Sequence, residues 1–380
     1  MPHPFLGLGF NSWTQKFSRG NVPAAVATRL EYVTLIVSSF TLRSTGTVDY
    51  EVDWGDGTTE SLTTNAPTHT YSSSGSYTIT VTPAEESTYR PYFNGAASDS
   101  SIESVTITGG SQLGTTLSDA WEGAVYMTSF GGDVDTSAVT NFINAWKDAR
   151  ALTSFPLIDT SSGTLFGGAW RGCTVLTSFP LIDTSSGTNF SNTWQNCSSL
   201  TSFPLIDTSS ATILNHTWNN CTGLTSFPLI DTSNVTYMTG TWQFCTNLAS
   251  VPLFDTSNVQ SFRPFTFCSS LTTIPAFDVS SSNDFQNAFA YSGLTTFPAN
   301  MFDTLSSGLF SYAFNGTWQN CSLTAQSIEN ILVSLDASGK TSIGLGIHGG
   351  SNAAKTTWSA AANTAYNNLI TKGWTISYNA

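Results

Sequence analysis

One ten-residue phrase governs the chain. Leu152-Thr153-Ser154-Phe155-Pro156-Leu157-Ile158-Asp159-Thr160-Ser161 returns almost unchanged from Leu176, Leu200 and Leu224, and more loosely from Leu248, Leu271 and Leu294. Its Asp falls at Asp135, Asp159, Asp183, Asp207, Asp231 and Asp255 at a constant spacing of 24, then at Asp278 and Asp303 after 23 and 25. Eleven residues after the Asp comes an aromatic: Trp146, Trp170, Trp194, Trp218, Trp242, then Phe289 and Phe314. Cys173, Cys197, Cys221 and Cys245 lie fourteen after it, with Cys268 one place short. A register kept over eight units predicts a solenoid, because a unit of this size cannot bury its own apolar face and must stack on its neighbours.

Within a coil, Leu200-x-x-Phe203-x-Leu205 matches the strand signature of a leucine-rich repeat. A parallel ladder of such strands would stack the coils at about 4.8 Å. The Asp-Thr-Ser that follows is read as a turn, since short polar side chains bond to backbone groups just ahead of them. Pro156, Pro180, Pro204 and Pro228 donate no ladder hydrogen bond and are placed at the end of a short strand. Trp and Cys are expected to point inward in two columns.

The units resemble the BspA-type leucine-rich repeats of bacterial surface proteins. Asp231-Thr232-Ser233-Asn234-Val235-Thr236-Tyr237-Met238 is the nearest copy of that pattern, and the resemblance covers about residues 110–321. The chain departs from it by placing Trp where that family usually has Phe, and Ser-Gly for Asn-Val in several coils. The resemblance implies a binding scaffold of surface adhesins and phage tail proteins, with no particular ligand. Upstream, Trp54-Gly55-Asp56-Gly57 after the alternating run from Val48, with His69-Thr70-Tyr71 and the run Ser76–Val81, resembles a PKD-type β-sandwich. Downstream, Leu323–Val333 and Trp358–Ile370 carry helical spacing, and Lys372-Gly373-Trp374-Thr375-Ile376 reads as a stop followed by a terminal strand. This ending resembles the caps of phage-encoded repeat proteins. The expected fold class is therefore mostly β: an N-terminal arm (1–30), a PKD-like β-sandwich (31–109), a BspA-type leucine-rich repeat solenoid (110–321) and a small α/β C-terminal cap (322–380).

Composition narrows the partners. Of 380 residues only 10% are charged, against about 25% in an average globular protein. The net charge of −13 would repel a phosphate backbone or an anionic membrane, so neither nucleic acid nor membrane insertion is expected. No apolar run approaches the roughly 18 residues of a membrane span. The start, Met1 to Gly7, lacks the basic, apolar and small-residue segments of a secretory signal. Either this is the mature form, or the protein leaves the cell without the general secretion route, as proteins packed into a virus particle do.

No break in the repeat suggests a catalytic insertion. His3, His69, His216 and His348 are scattered, with no zinc spacing. The recurring Asp is read as structural, Ca²⁺ between coils being the alternative for a like-charged column. Asp53 and Asp56 are the metal candidates beside Gly55 and Gly57, again with a turn as the plainer reading. Side chains in a ladder run parallel and do not meet at disulfide geometry, so the Cys column is expected as buried free thiols. Seven Asn-x-Ser/Thr sequons, from Asn189 to Asn320, read as part of the repeat and not as glycosylation sites.

These features lead to an expectation of a non-enzymatic adhesion protein on a virion surface: a phage tail fibre, receptor-binding protein or head-decorating fibre. A bacterial cell-surface adhesin is the alternative, and a polysaccharide-degrading enzyme the third class, disfavoured by the absence of an irregular acid cluster. Phe5, Leu6, Leu8, Phe10, Trp13 and Phe17 are read as attachment residues contacting other virion subunits. Thr177, Ser178, Thr201, Ser202, Thr225 and Ser226 are the candidate contacts to a host-surface glycan or protein. Further copies of the chain, as a homo-oligomer, are left open.

Overall fold

The computed structural model describes residues 28–36, 38–46, 48–84, 89–95, 101–108, 113–305 and 308–380. The attachment residues Phe5 to Phe17 lie outside them. Regular structure among the described residues is mostly β, with few helices.

The N-terminal strands are β1 (Arg29–Ile36), β2 (Ser39–Thr41), β3 (Ser44–Thr45), β4 (Tyr50–Asp53), β5 (Thr59–Leu62), β6 (Thr68–Thr70), β7 (Gly75–Pro83), β8 (Arg90–Pro91), β9 (Ile102–Thr108) and β10 (Ser129–Gly132). Six of them form one sheet in the order β10-β9-β1-β7-β4-β5, and β2–β6 and β3–β8 form two short ladders. In β1 the period-2 alternation turns Leu30, Tyr32 and Ile36 inward. Tyr32 and Phe40 meet Phe93 at ring distances of 5.7 and 6.2 Å.

This unit continues into the repeats without a gap in the core. β10 pairs with β9 in parallel, although it lies 21 residues further along the chain, past Trp121, which stacks on Trp146 at 5.6 Å. Trp121 marks a coil ahead of Asp135 that counting Asp residues overlooks. From there the coils stack in register. Single parallel bridges join Thr116, Asn141, Leu165, Asn189, Ile213, Tyr237, Ser261 and Asp284 in sequence. Trp146, Trp170, Trp194, Trp218 and Trp242 are fully buried and stack at 5.4–5.7 Å. Phe130, Phe155, Phe179, Phe203 and Phe227 form a second column at 5.7–6.0 Å.

The hydrogen bonds between coils are not where the strand signature places them. Phe166, Gly168, Trp170 and Gly172 donate their N–H to the carbonyls of Asn189, Ser191, Thr193 and Gln195 in the next coil, at 2.8–3.0 Å. The residues between them, Ala169 and Arg171, bond back three places within their own coil. The chain therefore winds as linked tight turns. Successive arcs use left-handed backbone twice, four residues apart: Gly168 and Gly172 (φ 67° and 78°), Asn192 and Asn196 (60° and 65°), His216 and Asn220 (54° and 59°). Gly and Asn tolerate that region best.

The predicted strand Leu200 to Leu205 is absent. The carbonyls of Pro180, Pro204 and Pro228 instead accept from Ile182, Ile206 and Ile230 at 3.0 Å, a γ-turn whose apex is the intervening Leu. Leu205 is consequently turned outward, and Ile206 takes the inward place. A second correction concerns the last coil. Phe314 stacks on Phe285 at 4.7 Å and Trp318 on Phe289 at 6.1 Å, so Trp318, and not Phe314, continues the Trp column.

The C-terminal unit comprises α1 (Ala325–Ala337), β11 (Gly344–Ile347), α2 (Ala360–Thr371) and β12 (Thr375–Tyr378). Thr324 and Ser359 cap the helices, accepting from the N–H of Ser327 and Ala362. β11 pairs in parallel with β12, and Leu345 of β11 bridges Phe314, so these two strands extend the bridge column and close the stack.

Candidate ligand-binding faces

Inner columns first separate what folds the chain from what it displays. From Asp135 to Asp278 the Asp of each repeat is committed to its turn: Oδ1 of Asp159 accepts from Ser161 N–H at 3.0 Å and its hydroxyl at 2.6 Å, and Asp183 and Asp231 repeat this, whereas Asp303 accepts from the Ser334 hydroxyl. The Thr after each Asp from Asp135 to Asp255 is buried and donates to the next coil's Asp carbonyl, as Thr136, Thr184 and Thr208 do at 2.5 Å. Cys173, Cys197, Cys221, Cys245 and Cys268 donate Sγ–H to the Trp carbonyl of the preceding coil at 3.1–3.4 Å. All six cysteines are free and buried, and burial pushes the Cys245 thiol up to about 12. Such thiols are small apolar groups, not nucleophiles.

In the N-terminal unit Asp53 and Asp56 are also turn residues. Asp53 accepts from Gly55 N–H at 2.9 Å. Asp56 accepts from Thr58 N–H and hydroxyl at 3.0 and 2.6 Å and faces His69 Nε2 at 2.8 Å. The hydrogen bonds from Thr58, then that from His69, hold the Asp56 carboxyl down at about 2. Gly55 has φ 81°, and a Cβ there would lie 2.5 Å from the Thr78 carbonyl oxygen. His69 in turn stacks on Trp54 at 4.8 Å, so the sequence signature is one packed knot. Among the described residues no group of three or more His, Cys, Asp or Glu is placed to hold a metal ion.

Two outward faces remain. Thr177, Ser178, Thr201, Ser202, Thr225 and Ser226 are all exposed and recur one pair per coil, though on an irregular arc and not on strands. Beside them runs a column of outward Leu side chains, Leu157, Leu181, Leu205, Leu229 and Leu253, each 58–66% exposed, the last four at γ-turn apices.

The second face carries the parallel bridges, and nothing in the decapeptide points to it. Side-chain amides form ladders there: Asn219 donates to Gln243 at 3.1 Å and Asn220 to Asn196 at 3.0 Å. His216 sits among them, its pKa lowered by burial and then by Arg263, so it is neutral at pH 7. Further along, the Asn column gives way to Phe244, Phe267 and Tyr291, stacked at 4.6 Å. Phe244 and Tyr291 are 38% and 42% exposed. All three keep left-handed φ, 64°, 63° and 59°, which costs such side chains about 1–2 kcal/mol each. The two ring pairs return about 0.5–1.5 kcal/mol each beyond the area they bury, an offset of the same order as the strain. Variation between coils at this one position was the available sequence signal.

At its C-terminal end the same face opens into a cleft of about 500 Å³ where coils meet β11 and β12, lined by Gln286, Asn287, Asn315, Gln319, His348 and Ser377 among others. Tyr291 N–H bonds the Gln319 carbonyl at 2.8 Å, which joins the aromatic column to the cleft. His348 Nδ1 and the Ser377 hydroxyl are 2.8 Å apart. That pair is a nucleophile and base in contact, but no carboxylate lines the cleft to orient the imidazole as a triad requires. The lining offers donors and acceptors to a neutral polar ligand.

Residues 22–89 match the family model of the PKD domain, and the N-terminal part of the chain is a PKD-like domain. No curated protein and no solved structure matches the chain. Among the described residues no helix is long and apolar enough to cross a membrane.

Proposed function

We propose that this chain is a non-enzymatic adhesion protein of a phage particle, a tail fibre, receptor-binding protein or head-decorating fibre, in which a BspA-type leucine-rich repeat solenoid follows the PKD-like domain. The N-terminal arm attaches it to other virion subunits, and the repeats meet a host-surface glycan or protein. The observation that carries this reading is the division of every coil between inward columns, used up in packing and hydrogen bonding, and outward columns offered once per coil. Weak contacts, about 0.5–1.5 kcal/mol net for a hydrogen bond, become useful when a surface presents many of them together. Electrostatic steering is not part of the design, because few residues are charged and the net charge is −13. Binding is therefore expected to change little between low and moderate salt.

The test is to incubate purified protein with envelope polysaccharide of candidate host bacteria, recover the protein, and size the polymer. Polymer recovered with the protein at its original length supports adhesion. Shortened polymer contradicts the non-enzymatic reading, and recovery of no polymer from any host contradicts surface binding.

A further inference from the structure

We infer that the strip formed by Phe244, Phe267 and Tyr291, together with the amide-lined cleft beyond it, is a binding site for a neutral oligosaccharide running along the stack. This rests on the adhesion reading and assigns it a place and a ligand class. Three observations converge. Left-handed positions four residues after the first in each arc are filled by Asn196, Asn220 and Asn320, Gly172 and Asp148 elsewhere in the stack, all residues suited to that backbone. Three consecutive coils instead hold an aromatic there, partly exposed, where Asn or Gly would hold the same backbone with less strain. Such strain is kept where the side chain serves something other than the fold.

The chemistry of the ligand follows from the lining. Aromatic edges and the partly exposed Ile376 side chain suit the C–H faces or methyl groups of a sugar. Gln286, Asn287, Asn315, Gln319, His348 and Ser377 supply paired donors and acceptors matched to hydroxyl and acetamido groups. No Lys or Arg lines the cleft, which leaves an anionic sugar without a counter-charge. The site is elongated: the strip spans three successive coils, and the cleft spans two coils and both cap strands. A chain of several sugars is the occupant that fits this shape.

The internal repeats supply a test that does not endanger the fold. Phe244→Asn, Phe267→Asn and Tyr291→Asn together install the residue that neighbouring coils already carry. The full chain and this variant are titrated by calorimetry with cellohexaose, N-acetylchitohexaose and maltohexaose. At least one is expected to bind, with affinity falling at least about tenfold in the variant while its melting temperature stays equal or rises. Gln319→Ala should weaken the same ligand. No binding of any of the three sugars, or unchanged affinity in the triple variant, overturns the assignment. If the triple variant still binds host envelope polysaccharide as the parent does, the site is wrong and adhesion stands. If neither binds any envelope, the adhesion reading itself fails.

Discussion

The column Trp residues carry an uncompensated cost that their neighbours offset. The indole N–H groups of Trp121, Trp146, Trp170, Trp194, Trp218, Trp242 and Trp318 are buried without an oxygen or nitrogen acceptor, at about 1–3 kcal/mol each. Trp194 answers this with ring contacts to Trp170, Trp218, Phe179, Phe190 and Phe203, each worth about 0.5–1.5 kcal/mol. Phe265 and Phe289 occupy the same column, so the donor itself is dispensable. Trp194→Phe is expected to shift unfolding free energy by less than about 1.5 kcal/mol, whereas Trp194→Ala should cost about 3–5 kcal/mol; denaturant titration compares them, and equal losses would contradict the stacking account. The cysteines set a pH dependence. Below 9.0, the ordinary thiol value, folded and unfolded chains are both protonated and stability is complete. Above it the unfolded chain loses protons that the folded chain keeps, up to about 12 for Cys245. Stability should therefore fall as pH rises through that interval. Thiol titration should find six reactive groups after denaturation without reductant and almost none before.

At the scale of the coil, each unit is stabilised by contacts with its two neighbours, so coils of the same pattern are exchangeable. Deleting residues 183–206, one full 24-residue period, should bring residue 182 to residue 207 in register and leave a cooperative fold by circular dichroism and thermal melting. Deleting residues 195–206 should break the columns and unfold or aggregate the chain; survival of both or loss of both contradicts a stack of equivalent coils. This period, the buried Trp and Cys columns, the PKD-like knot around Trp54 and the capped helices were all legible in the sequence. They rest on local signals: spacing, turn chemistry and cap residues. The placement of the hydrogen-bonded arc was not. A Leu-x-x-Phe-x-Leu phrase has the same apolar spacing whether its last Leu packs or tops a γ-turn, and Pro204 decides for the turn by offering its carbonyl to Ile206. The aromatic strip was hidden for a different reason. Phe244, Phe267 and Tyr291 look like core residues until the left-handed backbone turns them out. Gly163 and Gly187 also had no evident cause in sequence, and the structure supplies one: a Cβ at either would lie 2.5 or 2.4 Å from the Phe166 or Phe190 ring.

For the molecule as a whole, the PKD-like domain, the coils and the cap share one hydrophobic core, joined at one end by β9–β10 pairing and at the other by the Phe314–Leu345 bridge. The outward Leu column is not part of that core. Leu181→Ser, Leu205→Ser and Leu229→Ser combined should change unfolding free energy by no more than about 0.5 kcal/mol per site, and a loss of several kcal/mol would show that these side chains pack. Whether the outer columns bind while the inner ones only fold is tested most directly by hydroxyl-radical footprinting of the protein on host envelope fragments. Reduced oxidation of Phe244, Phe267 and Tyr291, with Leu181, Leu205 and Leu229 oxidised as in the free protein, is the expected result. Protection confined to the Leu column and its flanking Thr and Ser, with the three aromatics oxidised as before, would contradict it.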